Sequence, residues 1–165
     1  MKTDRYRAFL CCLCSLPLFF SIIGKDTTSE INGDVRSTSN PADVCSAANT
    51  CGSVSSPCSI DIRRRNSYAT ATSSIPQAKS NTTFCIKVGT TVIFRSSSKN
   101  TGFVIDFISA DPFDHEGLIL GGGNSPVTVI AKRPGSYIYT IGACTPGTVK
   151  GMCGNAESQL IISAD

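Results

Sequence analysis

The chain has no tryptophan, two methionines and one histidine, His115, among its 165 residues. A single imidazole excludes, within one chain, any metal site built on two of them. Charged residues are also scarce, at 16%, and no amphipathic run is long enough for a good helix. Catalytic patterns are missing as well. His115 has no motif context that would set it beside a nucleophilic serine and an orienting carboxylate, and no pair of carboxylates carries a spacing signal for acid–base chemistry. The chain is therefore not expected to be an enzyme.

What is abundant is Ser, Thr and Gly, a composition that suits short strands joined by many turns and points to an all-β fold. Lys2, Arg5 and Arg7 precede an uncharged, largely apolar run from Ala8 to Ile23, after which polar sequence resumes. That is the anatomy of a signal peptide, residues 1–24, although a retained anchor is the alternative. Cys11, Cys12 and Cys14 sit early in the run, where they read as apolar filler. Removal of residues 1–24 takes away Lys2, Arg5, Arg7 and Asp4, so the 15 basic and 12 acidic residues fall to 12 and 11. That balance offers nothing to nucleic acid, and Arg63-Arg64-Arg65 reads as the solvated end of a strand.

The exported portion keeps Cys45, Cys51, Cys58, Cys85, Cys144 and Cys153. All six are disulfide candidates, an even number in a compartment where disulfides persist. No pair among them has the C-x-x-C spacing of a zinc knuckle, and the sequence does not choose among fifteen connectivities. Cys144 and Cys153 flank a loop between two expected strands, and either a bridge between them or one from Cys85 fits that placement. Residues 25–44 are polar, with few large apolar side chains, and read as a flexible spacer. Residues 45–57 form a cysteine-rich lead-in, and residues 58–165 the folded domain.

Within that domain apolar residues alternate in short bursts: Ile60 and Ile62; Phe84, Ile86 and Val88; Val92 and Phe94; Phe103, Ile105 and Phe107; Val127, Val129 and Ala131; Tyr137, Tyr139 and Ile141; Leu160 and Ile162. This is the period of half-buried strands. Six or seven strands closing as a two-sheet β-sandwich are expected.

Two segments give that expectation a family. Ile86-Lys87-Val88-Gly89-Thr90-Thr91-Val92-Ile93-Phe94 resembles the cupredoxin strand pair with the pattern I-x-V-G-x-x-V-x-F. Pro134-Gly135-Ser136-Tyr137-Ile138-Tyr139 resembles the glycine–tyrosine strand that leads, in plastocyanin-type members, into the loop carrying copper ligands. Cys144 and Met152 then stand eight positions apart, as the thiolate and thioether ligands do in that family. The resemblance covers residues 58–165 and implies a cupredoxin-like Greek key. Phe103 falls where the family places its first histidine ligand, and Gly147 where it places the second. Counted instead from the tyrosine, Ile141 takes the cysteine position and Cys144 a histidine position. Either alignment lacks a complete blue-copper set, which needs two imidazoles, a thiolate and a weak axial methionine.

The expectation is thus an exported, non-catalytic, copper-free cupredoxin-like module, secreted, periplasmic or on the cell surface. It takes no cofactor, and its partner is an unknown protein or cell-envelope ligand, with no nucleic acid and no membrane after signal cleavage. The alternative is a copper-handling or electron-transfer protein that holds copper through Cys144, Met152 and His115, since soft ligands select Cu(I). Asp111, Asp114 and Glu116 around His115 read as solvated loop polarity, and Gly121-Gly122-Gly123-Asn124-Ser125-Pro126 as a hairpin loop rather than a phosphate cradle. Asn81-Thr82-Thr83 is a glycosylation sequon.

Overall fold

In a computed structural model of the chain the described residues are 44–147 and 153–164. The segments read as signal peptide and spacer fall outside them, apart from Val44, and so does Met152. Nine strands carry the fold: β1 (Cys58–Arg65), β2 (Tyr68–Ser73), β3 (Phe84–Lys87), β4 (Thr91–Arg95), β5 (Gly102–Phe107), β6 (Ile119–Gly122), β7 (Val127–Ile130), β8 (Gly135–Cys144) and β9 (Cys153–Ser163). Alternation decides which face of each is inside. In β1, for example, Cys58, Ile60 and Ile62 are buried while Asp61 is half-buried and Arg63 and Arg65 are exposed, as a period of two requires. The all-β class read from composition is the class observed.

The strand count and the two-sheet arrangement need correction. β2 and β6 join the seven expected strands, and all nine belong to one hydrogen-bonded sheet with the path β6-β5-β8-β9-β2-β1-β4-β7, while β3 pairs with the end of β9 on the flank away from β8. The halves meet through a single pair, Tyr68 with Asn155. Gly154 makes that seam possible. A Cβ there would stand 2.6 to 2.8 Å from the backbone C, O and N of Tyr68, so only a residue without a side chain lets the two backbones approach. At the opposite ends of the path, β6 turns into β7 through a bridge between Gly122 and Ser125. The result is a nearly closed, barrel-like sheet.

Its interior is filled by Phe94, Tyr139, Leu160, Ile60, Ile86 and Ile105, all close to fully buried. Phe113, on the connection between β5 and β6, packs edge-on against Phe94 and Phe107 at 5.8 and 5.5 Å, geometry that aromatic quadrupoles favour. At the start of β8 the Tyr137 hydroxyl donates to the Arg133 carbonyl at 2.9 Å. This bond ties the tyrosine at the start of β8 to the backbone just upstream of it.

The lead-in is stitched to this body. Cys51 bonds to Cys58 and Cys45 to Cys85, while the Cys51 amide donates to the Cys85 carbonyl at 2.8 Å. Thr50 thereby pairs along the outer edge of β3, so the lead-in covers an edge that would otherwise invite another strand. On the chain-entropy account, bridging 40 residues of separation contributes about 4 kcal/mol by restricting the unfolded chain.

Candidate functional site

β8 and β9 form the long antiparallel hairpin whose open end carries the residues singled out above. Cys144 faces Cys153 directly across the register, and the two sulfurs are bonded, with Cα atoms 4.0 Å apart. Gly102, at the start of β5, pairs with Cys144 from the other side. The Gly121–Gly123 stretch arrives from β6, and Lys99 and Asn100 from the turn before β5. Between them lies a cleft of about 560 Å³, bordered by Lys99, Asn100, Gly121, Cys144, Pro146 and Cys153. Gly121 is glycine because the core packs against it: a Cβ there would meet Phe103 Cζ at 2.5 Å and Val127 Cγ2 at 2.9 Å.

The positions where the resemblance would put copper ligands are accounted for one by one. Phe103 is buried in the core at 4% exposure and pairs with Ala143 one residue before the bridged cysteine. Gly147 is exposed, with φ +77°, a left-handed conformation that glycine adopts freely. Ile141, the cysteine position in the other alignment, is fully buried. Cys144 has no thiol to offer, because its sulfur is half of a disulfide.

His115 is elsewhere. It follows the far end of β5, whereas Cys144 pairs with that strand's first residue. At about 3.4 Å per residue the two are separated by roughly the 17 Å length of β5. Two of its three neighbouring carboxylates are already engaged. Asp111 accepts from the backbone amides of Phe113 and His115, both at 2.7 Å, and Asp114 pairs with Lys132 and Arg133 on the approach to β8. The imidazole Nδ1 is buried without a hydrogen-bond partner among the described residues. Among the described residues no group of three or more His, Cys, Asp or Glu is arranged to hold a metal ion.

Asn81, the sequon asparagine, is committed to the fold. Its side-chain oxygen accepts from the Ala71 amide at 2.7 Å and its amide nitrogen donates to the Ala69 carbonyl at 3.2 Å. The backbone there has φ +57°, which asparagine tolerates. A glycan on Nδ2 would compete with this pairing along β2.

A second concavity, of about 290 Å³, lies on the outer face of β1, β2 and β4 and is lined by Arg63, Arg65, Arg95 and Asp61 with hydroxyl side chains among them. The sequence reading passed over it because Arg95 joins Arg63 and Arg65 only through the parallel pairing of β1 with β4. The three disulfides suit an oxidising, extracellular environment, and among the described residues no helix is long and apolar enough to cross a membrane. No protein-family model matches the chain, and no curated protein matches it.

Proposed function

We propose that the chain is an exported, non-catalytic, copper-free module with a cupredoxin-like Greek key, which acts by binding a partner through its surface. The observation that carries this reading is the Cys144–Cys153 bond. It stands where the resemblance calls for a copper thiolate, and it fixes the end of the β8–β9 hairpin covalently, so no metal is required to organise it. The order of the I-x-V-G-x-x-V-x-F and glycine–tyrosine segments supports the family reading.

Copper uptake tests it. Purified protein incubated with Cu(II) is expected to stay free of the intense visible absorption that a thiolate–copper bond produces, and to retain no copper after dialysis. A strong blue band from the monomer would overturn the proposal and favour copper handling through Cys144, Met152 and His115.

A further inference from the structure

The outer face of β1, β2 and β4 has a chemistry that the fold does not require. Because Ile60 and Ile62 point inward, Ser59, Asp61, Arg63 and Arg65 all point outward. The antiparallel register sets Arg65 opposite Tyr68, Arg63 opposite Thr70 and Asp61 opposite Thr72. The parallel register on the other side sets Arg95 beside Asp61. Three guanidinium groups therefore follow one line across two strands. With about 3.3 Å per residue, the step from the level of Arg95 to that of Arg65 is about 13 Å.

Only one of the three is matched by a local charge. Arg63 Nε donates to Asp61 Oδ2 at 2.5 Å, and Asp61 Oδ1 accepts from the Ser97 amide at 2.9 Å. Both carboxylate oxygens are thus occupied and the side chain is held in place. Neither Arg65 nor Arg95 belongs to any ion pair among the described residues, so the groove keeps a net positive charge of two guanidinium forks. Cations grouped on one sheet face without a counter-charge leave a positive potential there. A bound anion complements that potential, and the planar fork suits carboxylate and sulfate groups in particular.

The rest of the lining argues for what carries the anion. Hydroxyls from Ser59, Thr72 and Ser80 border the arginines, and Thr72 and Ser80 already contact each other at 3.1 Å. Each has donor and acceptor capacity to spare for a hydroxylated ligand. Tyr68 stands at the Arg65 end, 49% exposed, and offers a ring face. We infer that this groove binds a linear anionic glycan, its carboxylates or sulfates on Arg65 and Arg95 and its sugar hydroxyls on the serines and threonines. Nucleic acid shares the charge, but the three disulfides suit an oxidising, extracellular setting, where acidic polysaccharide is the commoner polyanion. The inference rests on the reading of the chain as a binding module and gives that module a ligand class.

The test uses the full chain expressed into an oxidising compartment, with binding measured to polygalacturonate, dextran sulfate, neutral dextran and a single-stranded oligonucleotide of matched charge. Binding to one or both anionic glycans is expected, weakening as salt is raised, with none to neutral dextran. Preference for polygalacturonate assigns carboxylate as the group recognised, and preference for dextran sulfate assigns sulfate. The Arg65→Ser/Arg95→Ser variant should bind about 100-fold more weakly, roughly tenfold for each charge-assisted contact removed. Its melting temperature should be unchanged, because both side chains are exposed. Lys87→Ser/Lys132→Ser makes the same change of net charge away from both concavities and should bind as the parent does. Equal weakening by the two double variants would reduce the effect to net charge and overturn the inference. So would an oligonucleotide that binds as tightly as the glycans, or no binding to either anionic glycan. None of these outcomes bears on copper uptake, so failure here and failure of the copper-free reading are told apart.

Discussion

Tyr139 brings the most unusual single group into the core. It is fully buried, it faces Ser158 across the β8–β9 register, and among the described residues neither hydroxyl makes a hydrogen bond of normal geometry. Burial pushes the phenol up to about 12 from its ordinary value of 10.0, and the nearby Ser158 hydroxyl offsets only part of that shift. The folded state holds this proton more tightly than the unfolded chain does. Its contribution is therefore complete below about pH 10 and is lost as pH rises through about 12, a difference on the order of 2 to 3 kcal/mol. Tyr139→Phe removes an unpaired buried hydroxyl while keeping the ring, and such a change is neutral to stabilising. We expect it to hold or raise the melting temperature at pH 7 and to move alkaline unfolding to higher pH, read by circular dichroism across a pH series. A loss of more than about 2 kcal/mol at pH 7 would mean that the hydroxyl is satisfied after all.

Among the elements, the seven strands legible in the sequence are those whose inward positions carry large apolar side chains. β2 escaped because its inward residues are Ala69, Ala71 and Ser73, too small and too polar to raise an alternation signal. β6 escaped because half of it is glycine. Both strands decide how the sheet closes: β2 meets β9, and β6 turns into β7. The one-sheet path was illegible for the same reason, since it depends on a single pair of residues and on the missing side chain of Gly154. Gly154→Val should separate Tyr68 from Asn155. The overpacking is expected to destabilise by about 1 to 3 kcal/mol and to speed hydrogen exchange at the start of β2 more than in β1. Unchanged exchange around Tyr68 would show that the seam does not depend on Gly154.

For the whole molecule, the sequence supplied the all-β class and the six cysteines, but not their pairing. Cys144 with Cys153 was one of the placements it allowed, whereas Cys85 is drawn to Cys45 because the lead-in runs along the edge of β3, a contact no local pattern announces. The candidate site was legible as a position and not as a chemistry. Counting residues locates Cys144, Gly147 and Phe103, but only the β8–β9 register shows that the first is bonded to Cys153. A bridge closing a separation of 9 residues contributes about 3 kcal/mol on the chain-entropy account, and it removes the thiolate on which any copper reading depends. Trypsin cleaves after Lys150, between the two cysteines, so the most direct measurement is a non-reducing peptide map of the native protein after alkylation. The copper-free account predicts one disulfide-linked species joining the Cys144 and Cys153 peptides, with neither sulfur alkylated. A Cys144 peptide recovered alone and alkylated would contradict it.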